Sequence, residues 1–285
     1  MTAELAVRTR HSQPSIMKVS IVTISFNQAE FVERAILSVL AQDYPDIEYI
    51  VVDPGSTDGS REIIERYRPR ISKTILRPDQ GAADGLNGGF AEATGEILGF
   101  LNSDDMLLPG AVSSAVAFLE KHKEIDVVSG HCNLVGPDDR FLRRVYSDRM
   151  LVKAYIYGEL FLMQASTFFR REIFDRVGGL NVKNRISWDG ELFLNMALAG
   201  GRFAVTDQFW SAFRIHERSI TGTKSNQERL RRSHEEIFST VMGRPPGKAD
   251  TAISFGYRIL RKIRNPRDTW ERILRGPLFG RSLSS

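Results

Sequence analysis

The carboxylates at four places, and one histidine, have the residue types and neighbours that chemistry needs. Asp104 and Asp105 form an adjacent pair in "EILGFLNSDDMLLPG", pressed between the apolar runs 97–101 and 106–108. Neighbouring carboxylates repel, so they favour a cation or strong donors. Hard divalent ions such as Mn²⁺ or Mg²⁺ take oxygen ligands from one or two carboxylates and complete their shell with phosphate oxygens. The same pair also suits the cap of a helix whose first turn holds Pro109. Asp53 ends the run "IEYIVVD" before the turn "PGSTDGS". It can accept hydrogen bonds from a nucleobase or a ribose hydroxyl, or close its own turn. Asp189 lies in "ISWDGELFLNMA", where Leu192, Met196 and Ala199 mark the buried side of a helix. The helix N-terminus favours the ionised carboxylate, which suits a general base facing a substrate hydroxyl and equally an N-cap. His216 closes "SAFRIH", as a metal ligand, a phosphate contact or neither. His11, His122, His131 and His234 fall in tail, helix-end or surface contexts.

The elements that must position these residues are readable from periodicity. "KVSIVTISF", "IEYIVVD", "TILR", "EILGFL" and "IDVVSG" are strand-like runs. Between them stand helical spacings: Phe31, Ala35 and Val39 with Val32, Ile36 and Leu40; "REIIERYR" capped by Ser60; "GAADGLNGGFAEATG"; and a helix from Pro109 to about His122. Strand and helix alternate four times within about 130 residues, which predicts an α/β fold with a mainly parallel sheet flanked by helices. Ligands bind such sheets beyond the carboxyl ends of strands, where Asp53 and Asp104 fall. After residue 130 the pattern loosens. "HCNLVG" and "RFLRRVY" predict a hairpin around 137–139, "FLMQASTFFR", "FAVTD" and "SAFRIH" predict strands, and "REIFDRVGG", "WDGELFLNMALAGG" and "SNQERLRRSHEEIFSTVM" predict helices.

The 285 residues carry a single cysteine, Cys132, so no internal disulfide is possible, as fits a reducing compartment. No run of about 18 apolar residues predicts a membrane-spanning helix. Residues 1–16 are polar without a signal-peptide core and read as a loose tail. The net charge of +4 is uneven: residues 244–285 hold ten Lys or Arg against three acids, a net of +7, which leaves −3 on the rest. A nucleic-acid binder would more often carry the basic face on its body, and no reading motif is present, so no nucleic-acid partner is expected.

Four stretches in this order resemble the family 2 glycosyltransferases of the GT-A fold over about residues 17–220: "VSIVTISFNQAEFVERAILSVLAQDYPDIEYIVVDPGSTDGS", "GEILGFLNSDDMLLPGAV", "QASTFFRREIFDRVGGL" and "WDGELFLNMALAGG". "DQGAADGLNGGFAEATGEILGFLNSDD" resembles a branch that builds bacterial surface polysaccharides. The resemblance implies a nucleotide-sugar donor. It places Thr23, Ser25 and Asn27 at the base and ribose, Asp53 on the base, usually uracil, and Gln80, Gly81, Asp84 and Ser103 near the nucleotide and sugar. It implies that Asp104 and Asp105 hold Mn²⁺ or Mg²⁺, to which the strand-end His216 adds a further candidate ligand from its position alone, and that Asp189 deprotonates the acceptor in an inverting single displacement. Three positions depart from the family pattern. Asn102 stands where its D-x-D motif opens with Asp, Trp188 replaces the usual acid before the catalytic Asp, and Pro54 replaces a common acid after Asp53. Glu191 is a second candidate base.

The expected organisation is a flexible tail (1–16), a transferase domain (17–243, with a nucleotide-sugar half 17–130 and an acceptor half 131–243), and a basic amphipathic C-terminal helical extension (244–285). In that extension Phe255, Ile259, Leu260 and Ile263, then Trp270, Ile273 and Leu274, recur at helical spacing among Arg and Lys. Such helices lie on anionic membranes or pack on the body. The membrane reading fits a lipid-linked or glycan acceptor and a cytoplasmic protein peripheral to the inner face of the cell membrane. The rival readings are a non-catalytic nucleotide-sugar-binding scaffold of the same fold, motivated by Asn102 and Trp188, a dinucleotide oxidoreductase and a sugar-nucleotide pyrophosphorylase. The last two want a Gly-rich loop where "SFNQAEF" stands.

Overall fold

Strand β1 (Val19–Ile24) is buried on both faces, as a central parallel strand must be. In the computed structural model, which describes residues 16–218 and 224–276, it pairs in parallel with β2 (Ile47–Val52) and β4 (Ile97–Asn102), and β3 (Lys73–Ile75) adds in parallel outside β2. The loose tail expected over 1–16 lies outside the described residues up to residue 15.

Helices α1 (Val32–Leu40), α2 (Ser60–Tyr67) and α4 (Ala111–Lys121) cover one face of this sheet. Their Ala35, Ile36, Val39, Ile64, Ala115 and Leu119 share a core with Val19, Ile21, Tyr49 and Val51. Helix α3 (Ala82–Glu92) covers the other face, with Leu86 and Phe90 packed on Val22, Ile50 and Phe100. Its glycines have a steric cause: a Cβ on Gly89 would stand 2.4 Å from Val22 Cγ1, so the helix lies closer to β1 than any side chain allows.

The second half continues the same sheet. β8 (Thr167–Arg170) runs antiparallel between β4 and β6 (Val127–Val135), and β9 (Phe203–Arg214) lies parallel to β6. The two-residue β5 (Met106–Leu107) pairs antiparallel with β9, and β7 (Phe141–Val145) pairs with β6, so the order is β3-β2-β1-β4-β8-β6-β9-β5 with β7 off β6. The short α5 (Val152–Ile156) and α6 (Arg171–Val177), then α7 (Trp188–Leu198), α8 (Lys224–Met242), α9 (Lys248–Arg264) and α10 (Pro266–Arg275) complete it. Among the described residues no helix is long and apolar enough to cross a membrane.

Several local readings are corrected. "IDVVSG" and "HCNLVG" are one strand, as are "FAVTD" and "SAFRIH", because the two long strands pair through a bulge. Ser129 faces Val205 and His131 faces Phe209, so 206–208 is extra chain inside β9 rather than a turn. Only 167–170 of the predicted strand at 161–170 pairs. Pro109 precedes α4, whose cap is Gly110 at φ 76°. Gly59, at φ 100°, rather than Ser60, caps α2. The five-residue α5 carries too short a pattern for the sequence to show.

Candidate active site

The strands β1, β2 and β4 end level: Ile24 stands opposite Val52 on one side and Asn102 on the other. Ser25, Asn27, Asp53, Ser103 and Asp104 therefore meet at one edge. The strand order reverses between β1 and β4, where open α/β sheets form their ligand crevice. Ser25 is buried there, and its hydroxyl has no partner among the described residues. Thr23 is placed elsewhere than the resemblance implied. It lies inside β1, fully buried, accepting a 3.1 Å hydrogen bond from the Tyr49 hydroxyl.

Asp53 is also fully buried, and its carboxylate is already engaged. Oδ1 accepts from the backbone N–H of Gly55 (3.0 Å) and Ser56 (2.8 Å) and from Arg61 Nε (3.0 Å), and Oδ2 accepts from Ser56 Oγ (2.5 Å). As placed, it shapes the loop after β2. That loop is tied to the one after β1. Asn27, at φ 53°, donates its N–H to Ser56 Oγ (2.8 Å) and accepts from the Thr57 N–H (2.9 Å). Gln28 N–H donates to Ser60 Oγ (3.0 Å) and Ala29 N–H to Asp58 Oδ2 (2.9 Å).

A third wall comes from the turn into α3. Gly81 sits at φ 114°, which favours glycine, and Arg185 Nη1 lies only 2.5 Å from where a Cβ would stand, so the guanidinium rests directly on this turn. Asp84 accepts from the Gln80 N–H (2.8 Å) and Asp79 from the Gly81 N–H (2.8 Å). Burial, with the charges of Asp84 and Asp53 nearby, pushes the Asp79 carboxyl up, and Arg185 opposes that rise. Arg185 brings the approach to α7 against this turn.

The loop after β4 splits the acidic pair. Asp104 keeps partial exposure, 19% of its side chain, and its Oδ2 lies 3.1 Å from His216 Nε2. In place of the supporting metal ligand expected at Asp105, the fold supplies an anchor. Asp105 turns inward, its Oδ1 accepting the Arg214 N–H at 2.9 Å while its Oδ2 has no partner among the described residues. Burial first, then the charge of Asp104, drives its pKa well up. Asn102 donates at 3.4 Å to Gln164 Oε1, and Gln164 Nε2 donates at 2.6 Å to the Phe100 carbonyl; Asn102 Oδ1 is buried and unpaired among the described residues. No group of three or more His, Cys, Asp or Glu side chains among the described residues is arranged to hold a metal.

Arg214 organises this corner. Fully buried as a side chain, it donates to the carbonyls of Asp104 (2.9 Å), Gly136 (2.9 Å) and Pro137 (3.2 Å), pairs with Asp139, and sits over the Phe31 ring at 5.0 Å. Phe31 in turn lies 4.6 Å from the His216 ring. Arg214→Met strands buried carbonyls and is expected to cost about 3 kcal/mol. Arg214→Lys keeps the charge without the fork and should recover only part of that loss. Urea unfolding of both variants checks the order; equal stability of wild type and Arg214→Met would remove Arg214 from this role.

Asp189 is the second residue of α7, after the cap position Ser187, and half-buried. Desolvation pushes its pKa up against the backbone N–H groups of the first turn. The alternative base is occupied: Glu191 Oε1 accepts from Asn181 Nδ2 (2.9 Å) and Oε2 from Asn184 Nδ2 (2.7 Å). Trp188, beside Asp189, is a core residue, its ring 5.7 Å from Phe100 of β4. That contact ties the start of α7 to the strand that delivers Asp104.

Sequence reasoning missed three residues here. Phe26, between Ser25 and Asn27, is 59% exposed, and an aromatic on a loop at a strand's carboxyl end was the available signal. Arg185 and Arg214 gave none, because one arginine in a loop and one in a strand look like surface charge.

A family model described as "Glycosyl transferase family 2" matches residues 20–178. An uncharacterized glycosyltransferase of Nostoc sp. is 30% identical over 212 residues, covering 70% of this chain and 65% of that protein. A PGL/p-HBAD biosynthesis glycosyltransferase of Mycobacterium tuberculosis is 30% identical over 187 residues, covering 63% of this chain and 71% of that protein. Staphylococcus aureus TarS 1-349 in complex with UDP-GlcNAc superposes with a TM-score of 0.64 at 19% identity, over 92% of this chain and 77% of that one. Mannosyltransferase PcManGT from Pyrobaculum calidifontis, in complex with GDP-Man and Mn²⁺, does so with 0.63 at 18% identity, over 90% and 73%.

Proposed function

The chain belongs to glycosyl transferase family 2, and from that premise we propose that it moves a sugar from a nucleotide-diphosphate donor, a UDP-sugar, to an acceptor hydroxyl with inversion. The observation that carries this reading is the level ending of β1, β2 and β4, which gathers Ser25, Asn27, Asp53, Ser103 and Asp104 on one edge. The acceptor would be a glycan or lipid-linked glycan in surface-polysaccharide assembly, met by a cytoplasmic protein peripheral to the inner face of the cell membrane. Donor complexes of TarS with UDP-GlcNAc and of PcManGT with GDP-Man and Mn²⁺ support a nucleotide-sugar ligand for this fold.

Each wall then has a task. The exposed Phe26 offers a face on which a base can stack. The buried Ser25 hydroxyl and the 53–58 loop supply hydrogen-bonding groups beside it. Arg185 brings positive charge to the Gly81 turn, where a diphosphate would need it. Asp104 and His216 offer an oxygen and a nitrogen side by side, with the unpaired Asn102 amide oxygen in the same loop. Two protein ligands suit a hard cation that completes its shell with donor phosphates, so Mn²⁺ or Mg²⁺ fits here. When bound, such a cation neutralises the charge that develops on the leaving diphosphate. Asp189, ionised, takes the proton of the acceptor hydroxyl as that oxygen attacks the anomeric carbon.

Melting curves with UDP-, GDP- and dTDP-sugars and Mn²⁺ test the donor, since a ligand of the native state raises Tm. A UDP-sugar is expected to raise it most, and Phe26→Ala should weaken its apparent affinity about tenfold through lost stacking. No shift with any donor would sink the proposal; a larger shift with another nucleotide would reassign the base.

A further inference from the structure

Helices α9 and α10 pack with their polar side against the body. Asp250 and Asp268 are only 5% and 3% exposed. Asp268 accepts from Arg143 (3.3 Å), Arg261 (3.1 Å) and Arg272 (2.9 Å). Arg261 also reaches Asp148 (2.5 Å), Arg258 reaches Glu159 (2.7 Å), and Asn265 donates to Asp148 (2.7 Å) and the Tyr146 carbonyl (3.1 Å). The apolar side points out. Phe255, Ile259 and Ile263 follow one another at four-residue spacing along α9, and Trp270, Ile273 and Leu274 continue along α10, all among the exposed large apolar side chains. A helix on an ordinary water-soluble domain turns this stripe inward, and a contiguous exposed apolar patch marks an interaction surface.

Charge says what covers it. The three acids of the segment, Asp250, Asp268 and Glu271, all engage basic side chains or backbone N–H groups on the inner side. Lys262, Arg264, Arg267 and Arg275 are exposed beside the apolar stripe; Arg267 pairs with the exposed Asp207 (2.8 Å) and Arg275 with Glu271 (3.4 Å), while Lys262 and Arg264 have no carboxylate partner among the described residues. The outer face is thus apolar with a net basic charge, Lys262 and Arg264 without a carboxylate partner and the segment's own acids withdrawn, Asp207 being the one exposed acid among the described residues that pairs with its basic residues. Two copies paired through it would bring like charges together, whereas an anionic lipid surface complements both properties.

We propose that this face docks on an anionic bilayer, with Phe255, Ile263, Trp270 and Ile273 entering the headgroup boundary and the basic residues contacting lipid phosphates. The ionic clamp to the body would then hold the transferase site at a fixed attitude to the membrane. This rests on the peripheral location proposed above and not on the transfer chemistry.

Flotation of the full chain with phosphatidylcholine vesicles, plain or carrying about 30% phosphatidylglycerol, tests it. Binding at least about tenfold tighter to the anionic vesicles, weakened by salt, is expected. The triple variant Phe255→Ser, Ile263→Ser, Trp270→Ser should lose about tenfold or more while keeping wild-type Tm and donor-induced shift. Should that variant fail to fold, Lys262→Glu with Arg264→Glu tests the same face through charge alone. Equal binding to both vesicle types, or unchanged binding by the variants, overturns the proposal. So does a wild-type dimer in sedimentation velocity that the triple variant dissolves and that ignores vesicles. Loss of the donor shift with vesicle binding intact would count against the transferase reading and leave the docking face standing.

Discussion

Asp104→Ala is expected to lower sugar transfer by about 10³ or more, the scale on which one preorganised group facing developing charge contributes. The expectation is steep because the loop commits one carboxylate. Asp105 is turned into the core and held by the Arg214 N–H, and Asn102 carries no charge, so Asp104, beside His216, is the carboxylate of this loop left to hold a cation at the leaving diphosphate. Asn102→Asp restores a charge to the loop and should keep activity while lowering the Mn²⁺ concentration for half-maximal rate. Titrating Mn²⁺ against rate in wild type and both variants checks all three statements. Full wild-type activity in chelator would refute the role given to Asp104.

Asp189→Asn should leave the donor-induced rise in Tm intact and cut kcat by about 10²–10⁴, the usual range for a positioned general base. Glu191→Gln should cost far less in kcat, since both its oxygens already hold asparagine amides. The pH profile carries a second check. Desolvation raises the Asp189 pKa, and a base works only when deprotonated. The rate should therefore fall as pH drops through that raised value, with its acid limb above the range near pH 4 of an exposed aspartate. An acid limb at the ordinary carboxylate value, or full turnover in Asp189→Asn, would move the base elsewhere. Donor binding without any turnover in wild type would favour the scaffold reading.

The half of the fold up to residue 130 was legible because parallel strands buried on both faces are continuous apolar runs, and the helices between them keep a 3.6-residue stripe. The bulge inside β9 was not, since residues 208–210 separate two short strand-like runs and only pairing with β6 makes them one strand. At the site, position along the chain put Asp53 and Asp104 at strand ends and Asp189 at the start of a helix, and the structure has them there. It could not say that Asp104 and Asp105 part company, because which of two neighbours turns inward depends on Arg214, more than a hundred residues away. Thr23 was misplaced for a related reason: the partner that claims its hydroxyl, Tyr49, belongs to another strand. In α9 the spacing showed an apolar stripe, but periodicity does not say which side a helix turns to its own body.

The loops after β1 and β2 are laced together by Asn27, Ser56, Thr57, Ser60 and Asp58. They therefore behave as a single cassette. A redesign that transplants residues 53–60 alone would break the lacing and lose the shape of both walls. Residues 25–29 must travel with them, so the shape of this edge is a property of paired segments rather than of any one residue.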